Sequence, residues 1–68
     1  MKSLSGREMA RLLEQRGWIL VKVEDGHRRY EKPGWVKIVV PIHGNKSLKK
    51  GTQHGIMKAA GLTPNDLS

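Results

Sequence analysis

The chain has 68 residues, with thirteen Lys and Arg against six Asp and Glu, a formal net charge of +7 and no cysteine. That length suits one domain, residues 1–68, with a single thin core. The missing cysteines exclude disulfides, thiolate zinc sites and a cysteine nucleophile and fit a reducing interior, while the positive excess favours a polyanionic partner, nucleic acid first.

The N-terminal segment from Met1 to Gly6 carries no apolar signal core, and no apolar run is long enough to span a bilayer. The expectation is a soluble cytoplasmic protein without membrane contact. A first helix is expected over residues 6–16. Ser5-Gly6-Arg7-Glu8 fits a capping box, in which the Ser5 hydroxyl accepts from the Glu8 amide and the Glu8 carboxylate accepts from the Ser5 amide. Leu4 and Met9 fall where a hydrophobic staple packs, and Leu12 and Leu13 continue the apolar stripe. Arg7, Arg11, Glu14 and Arg16 take the solvent side, and Gly17 ends the helix.

From Trp18 the period changes to two, with Ile19, Val21 and Val23 alternating with Leu20, Lys22 and Glu24. Asp25-Gly26 is a hairpin signal, and residues 27–32 form the return strand. Pro33-Gly34 marks a second turn. Residues 35–40 read as a third strand closed by Pro41, which has no amide to donate to a ladder. A basic loop runs over residues 42–51, and a second helix is expected from about Thr52 to Ala60, with Ile56, Met57 and Ala60 as its apolar face and Gly61 as its stop. Residues 62–68 are a tail with room for another short turn. The order predicts an α+β fold, α-β-β-β-α, in which two helices cover one face of a three-stranded antiparallel sheet. Such a two-layer sandwich is the architecture of double-stranded RNA-binding domains.

Several pieces in this order resemble the HicA family of toxins. They are Gly17-Trp18 before a strand, Gly26-His27 at the hairpin, Pro41-Ile42-His43 after the third strand, and Leu48-Lys49-Lys50-Gly51-Thr52 followed by Ile56-Met57-Lys58-Ala59-Ala60-Gly61-Leu62. The likeness covers nearly the whole chain. It implies a double-stranded RNA-binding-like fold, an endoribonuclease (mRNA interferase) that cleaves messenger RNA and stops translation, and neutralisation by a HicB-type antitoxin. The family's Gly-Ser-His motif places its histidine at His27. Here Asp25 and Gly26 stand in the positions of the glycine and serine, which removes a hydroxyl able to hold phosphate and adds a negative charge. Lys22 stands where the family has an arginine before the motif, keeping the charge and losing the bidentate fork.

The residues support such chemistry on their own account. RNA carries its own nucleophile, the 2′-hydroxyl, so a ribonuclease need only take that proton, stabilise charge on phosphorus and help the 5′-oxygen leave. Neither a metal nor another cofactor is required in principle. Imidazole titrates at about 6.5, which makes His27 the candidate general base or acid, presented by the Asp25-Gly26 turn. Lys22, Arg28, Arg29 and Lys37 are candidate cations for phosphoryl oxygens. Strand alternation sets His27 and Arg29 on one face and Arg28 and Tyr30 on the other, which favours Arg29 and makes Tyr30 a core aromatic. His43 is a candidate RNA contact or proton donor, and an exposed loop residue fits it equally. His54 reads as surface, and the wide spacing of the three histidines matches no common metal-ligand pattern.

Lys46, Lys49 and Lys50 precede a helix N-terminus and suit phosphate, although a solvated loop accounts for each of them as well. Trp18 and Trp35 read as packing residues at the sheet edge. Three functions therefore stand side by side: a metal-independent endoribonuclease using His27, a non-catalytic RNA-binding module or degenerate toxin, and a subunit whose basic surface mainly binds an acidic antitoxin. The free protein is expected as a monomer, and its antitoxin complex as a higher-order assembly.

Overall fold

The computed structural model describes residues 2–67; Met1 and Ser68, the outermost residues of the expected N-terminal segment and tail, lie outside the described residues. Gly6–Gln15 form helix α1 behind a complete capping box. Ser5 Oγ accepts from the Glu8 amide at 3.1 Å, and Glu8 Oε1 accepts from the Ser5 amide at 2.9 Å. At the other end Gly17 adopts φ +89°, and the amides of Gly17 and Trp18 donate back to the carbonyls of Glu14 and Leu13. Those two bonds satisfy the last carbonyls of the helix.

Strands β1 (Ile19–Glu24), β2 (His27–Glu31) and β3 (Ile38–Pro41) form an antiparallel sheet in the order β1-β2-β3. Asp25 and Gly26 join the first two with φ +49° and +75°, the left-handed pair that a two-residue hairpin loop demands. Helix α2 (Lys50–Ala59) starts two residues earlier than the sequence suggests, and a short 3₁₀ helix, Pro64–Leu67, occupies the tail. The order is α-β-β-β-α, and both helices pack against β3. Ile38 and Val40 are buried beneath them while Val39 between is exposed, so the helices share one face of the sheet. Met9, Ala10 and Leu13 of α1, Tyr30, and Ile56 and Met57 of α2 complete most of the core, with Trp18 and Leu48 at its margins.

Two strand expectations are corrected. In β1, Leu20 pairs with Tyr30 and Lys22 with Arg29, which leaves Val21 as a bulged extra residue. The hairpin turn holds the register of Val23, Lys22 and Glu24, but beyond the bulge the alternation reverses, so Leu20 joins Val23 on the helix side and Ile19 moves to the open face. All six residues of β1 are exposed, because the helices lie over the opposite edge of the sheet. The third strand is shorter than residues 35–40 and includes Pro41, paired with His27, as its last member. Trp35 leaves the ladder to pack edge to face on Trp18, with ring centroids 6.0 Å apart, and against Gly61, where a Cβ would come within 2.8 Å of the Trp35 ring.

Backbone contacts lock the two layers together. A Cβ on Gly6 would overlap the carbonyl oxygen of Pro41, so α1 meets the end of β3 through a glycine, and the Ile42 amide donates to the Gly26 carbonyl at 2.6 Å. Gln53, buried in α2, accepts from the Leu4 amide at 2.8 Å and donates to the Lys2 carbonyl at 2.6 Å, tying the N-terminal segment to the second helix.

These contacts set three stability expectations, each read by thermal or denaturant unfolding. Gly55, inside α2 with nothing within 4 Å of an added Cβ, gains about 0.5–1 kcal/mol on Gly55→Ala. Gln53→Leu costs about 1–3 kcal/mol by leaving the buried Leu4 amide unpaired, and Gly6→Ala also destabilises. The Ser5 amide holds the Glu8 carboxyl below its ordinary 4.5, and the Thr63 amide, then Arg16, hold Asp66 below 3.8. Both carboxylates therefore stabilise the fold above those values, and that contribution disappears as pH falls through their lowered folded-state pKa values. Acid unfolding curves of Glu8→Gln and Asp66→Asn should lose this pH dependence.

Candidate functional site

Side chains paired across a ladder share a face, so the register sorts the candidates. The open face carries Lys22, Arg29 and Val39 in one row and Glu24, His27 and Pro41 in the next. Lys22, Glu24, Asp25, His27, Arg29 and Val39 line an open groove of about 300 Å³. His27 is exposed there, and its Nδ1 lies 3.0 Å from the Asp25 carbonyl oxygen. A carbonyl only accepts, so this bond requires the hydrogen on Nδ1 and, in the neutral ring, leaves the lone pair on Nε2. The turn backbone thus orients the ring and makes Nε2 the basic nitrogen of its neutral form.

The charges around it are unequal. Lys22 Nζ stands 3.4 Å from the Glu24 carboxylate, both side chains being well exposed, whereas Arg29 makes no ion pair among the described residues. Glu24 and Val39 line the groove although nothing in the sequence singled them out. Each directly opposes a residue that was singled out, His27 and Arg29 respectively, so the hairpin register was the signal that could have found them.

A second cavity, about 740 Å³, is lined by Pro41, His43, Lys46, Ser47, Leu48, Lys49 and Thr52. Its histidine faces the first: the His27 and His43 rings have centroids 6.5 Å apart and planes at 81°. Lys49 is the N-cap of α2 without a side-chain cap bond, and the first turn of that helix contains no acidic residue.

Other sequence candidates lie elsewhere. Arg28 is half-buried on the helix side and lines a groove of about 200 Å³ with Arg7, Arg11 and Glu14. Lys37 stands 3.8 Å from Glu31 near Trp35, and Lys50, the first residue of α2, lines neither histidine cavity. His54 is exposed on α2 and lines neither histidine cavity. Tyr30 is sealed in the core, its hydroxyl donating to Glu14 Oε2 at 2.5 Å, and burial pushes its pKa above 10.0. Among the described residues, no three His, Asp or Glu side chains gather as metal ligands would, and no helix is long and apolar enough to cross a membrane.

The family model described as the HicA toxin of bacterial toxin-antitoxin matches residues 6–62. The chain belongs to the HicA toxin family. The match begins at the first residue of α1, ends just past α2 and includes every residue lining the two histidine cavities. No curated protein matches the chain. Membership implies a toxin of a toxin–antitoxin pair, with an antitoxin as its counterpart.

The Nδ1–H tautomer of His27 is open to direct measurement. Long-range ¹H–¹⁵N spectra, recorded at a pH where the ring is neutral, should show His27 protonated on Nδ1. A ring protonated on Nε2 would remove the Asp25 carbonyl from the site.

Proposed function

We propose that this HicA toxin is an endoribonuclease, an mRNA interferase that stops translation by cutting messenger RNA in the cytoplasm. His27 is its proton-transfer residue, and a HicB-type protein neutralises it. The observation that carries this reading is the exposed His27 ring, held by the Asp25 carbonyl in one open groove with Lys22 and Arg29. An imidazole in that state can take the proton of a ribose 2′-hydroxyl as the oxygen attacks phosphorus. Arg29 stabilises the charge that grows on the phosphoryl oxygens. Lys22 joins it by exchanging Glu24, a surface partner worth little, for phosphate.

The second cavity suits neighbouring phosphates. Lys46 and Lys49 crowd the positive end of the α2 dipole with no acid to offset them, an unfavourable arrangement that a bound anion relieves. Arg28, Lys37 and Lys50, outside both cavities, serve a longer strand by general attraction rather than at the cut bond, and a net charge of +7 steers RNA to the whole surface. No metal or cofactor enters this chemistry. The free toxin acts as a monomer of one domain and is silenced in a larger complex with its antitoxin.

A non-catalytic RNA-binding or antitoxin-binding role has one observation in its favour: Glu24 and Asp25 line the same groove and repel phosphate. His27→Ala separates the readings. The variant should keep its unfolding midpoint and RNA affinity, lose RNA cleavage by about 10²–10⁴-fold, and no longer arrest growth; undiminished toxicity and RNA decay would overturn the catalytic role. Arg29→Ala should weaken RNA binding across sequences and reduce the salt slope of log K by about one.

A further inference from the structure

The imidazole pair carries more than one base. From the geometry we infer that His43 is the second catalytic residue of this toxin, the general acid that protonates the leaving 5′-oxygen of the RNA. This inference rests on the ribonuclease reading above and adds a role to it.

The two rings are brought together by the backbone. His43 follows Ile42, whose amide is bonded at 2.6 Å to the carbonyl of Gly26, the residue before His27. Pro41, on the other side of Ile42, is the ladder partner of His27. The amide of Lys46 then closes a turn onto the His43 carbonyl at 3.0 Å, with Gly44 at φ +57° inside it. Both histidines therefore belong to one rigid junction, although 15 residues separate them in the chain and each is exposed.

The spacing fits a phosphodiester. A proton-transfer group works within about 2.6–3.2 Å of its partner atom, so rings centred 6.5 Å apart can address two oxygens of one phosphate at once. The roles are not symmetrical. His27 spends its Nδ1 hydrogen on Asp25 and offers the Nε2 lone pair, as a base must. His43 makes no side-chain hydrogen bond among the described residues, so its ring nitrogens are free to face the leaving oxygen.

The step balances with these two groups. The 2′-hydroxyl proton passes to His27 Nε2, the 2′-oxygen bonds phosphorus, the bond from phosphorus to the 5′-oxygen breaks, and that oxygen takes a proton from His43. The products are a 2′,3′-cyclic phosphate and a 5′-hydroxyl, with no change of oxidation state. The cations flank the cut: Lys22 and Arg29 share the His27 groove, and Lys46 and Lys49 the His43 cavity.

A leaving group that needs no proton isolates the acid. A mixed-sequence RNA first locates a cleaved bond, and an oligonucleotide is then made with sulfur in place of the 5′-oxygen at that bond. His43→Ala, or His43→Gln if the alanine variant unfolds, should slow cleavage of the ordinary oligonucleotide by about 10²–10⁴-fold and cleave the sulfur-containing one within about tenfold of wild type. His27→Ala should be impaired on both. A His43 variant as active as wild type on ordinary RNA, or equally impaired on both substrates, overturns the acid role and leaves the ribonuclease reading standing. A wild-type protein that cuts no RNA overturns that reading itself.

Discussion

One junction of backbone groups holds the working end of this molecule together. The carbonyl of Pro41 occupies the space that any side chain on Gly6 would need, so the first turn of α1 rests directly on the end of β3. The next amide, that of Ile42, is bonded to Gly26 in the hairpin turn. The start of a helix, the tip of a hairpin and the exit of a strand are thereby fixed to one another without passing through flexible side chains. His27 pairs across the ladder with Pro41 and His43 follows Ile42, so both imidazoles take their positions from this contact.

The rest of the fold supports that junction with little apolar material. A domain of this size buries a modest fraction of its surface, and here the helices spend their apolar faces over β3 and Tyr30, leaving β1 bare. Polar devices strengthen the covered side. Both helices end in the same way, with Gly17 and Gly61 at positive φ and paired amides returning to the last turn. Gln53 clasps the N-terminal segment, and the Tyr30 hydroxyl reaches Glu14 on α1. The uncovered edge is held chiefly by its ladder to β2, and that ladder is fixed at the turn beside His27. Cover on one side and openness on the other are what leave a groove on the face opposite the core.

Local signals in the sequence carried the fold a long way. The capping box, the terminating glycines and the Asp25-Gly26 turn are each complete within a few residues, and the helices, the hairpin and the α-β-β-β-α order followed from them. What was not legible depends on partners distant in the chain. The bulge at Val21 follows no composition rule, since the stretch alternates well, and it appears only when Leu20 is seen to pair with Tyr30. Trp35 reads as strand until Trp18 and Gly61 are found waiting for its ring. The burial of Gln53 had no local signal, because it answers the need of the distant Leu4 amide for an acceptor. In the candidate site, alternation correctly paired His27 with Arg29 and turned Arg28 away. The approach of His43 to His27 had no local signal, because it arises from the hydrogen bond between Ile42 and Gly26.

The departure of this chain from the Gly-Ser-His pattern takes on a definite meaning in that geometry. A serine before the histidine would bring a hydroxyl, yet the ring of His27 is oriented by a backbone oxygen, that of Asp25, which every residue type possesses. What the turn requires is two residues able to hold positive φ, and Asp and Gly are among those that do so most readily. Gly26 also sits close beneath Ile42, where a Cβ would lie 3.3 Å from its carbonyl oxygen, so a glycine here eases the same approach that brings His43 alongside. Orientation of the imidazole by this bond therefore does not depend on a serine hydroxyl. The cost of the substitution is electrostatic, a carboxylate at Asp25 beside a groove proposed for phosphate, and the cations that line the same groove are Arg29 and its ladder partner, Lys22.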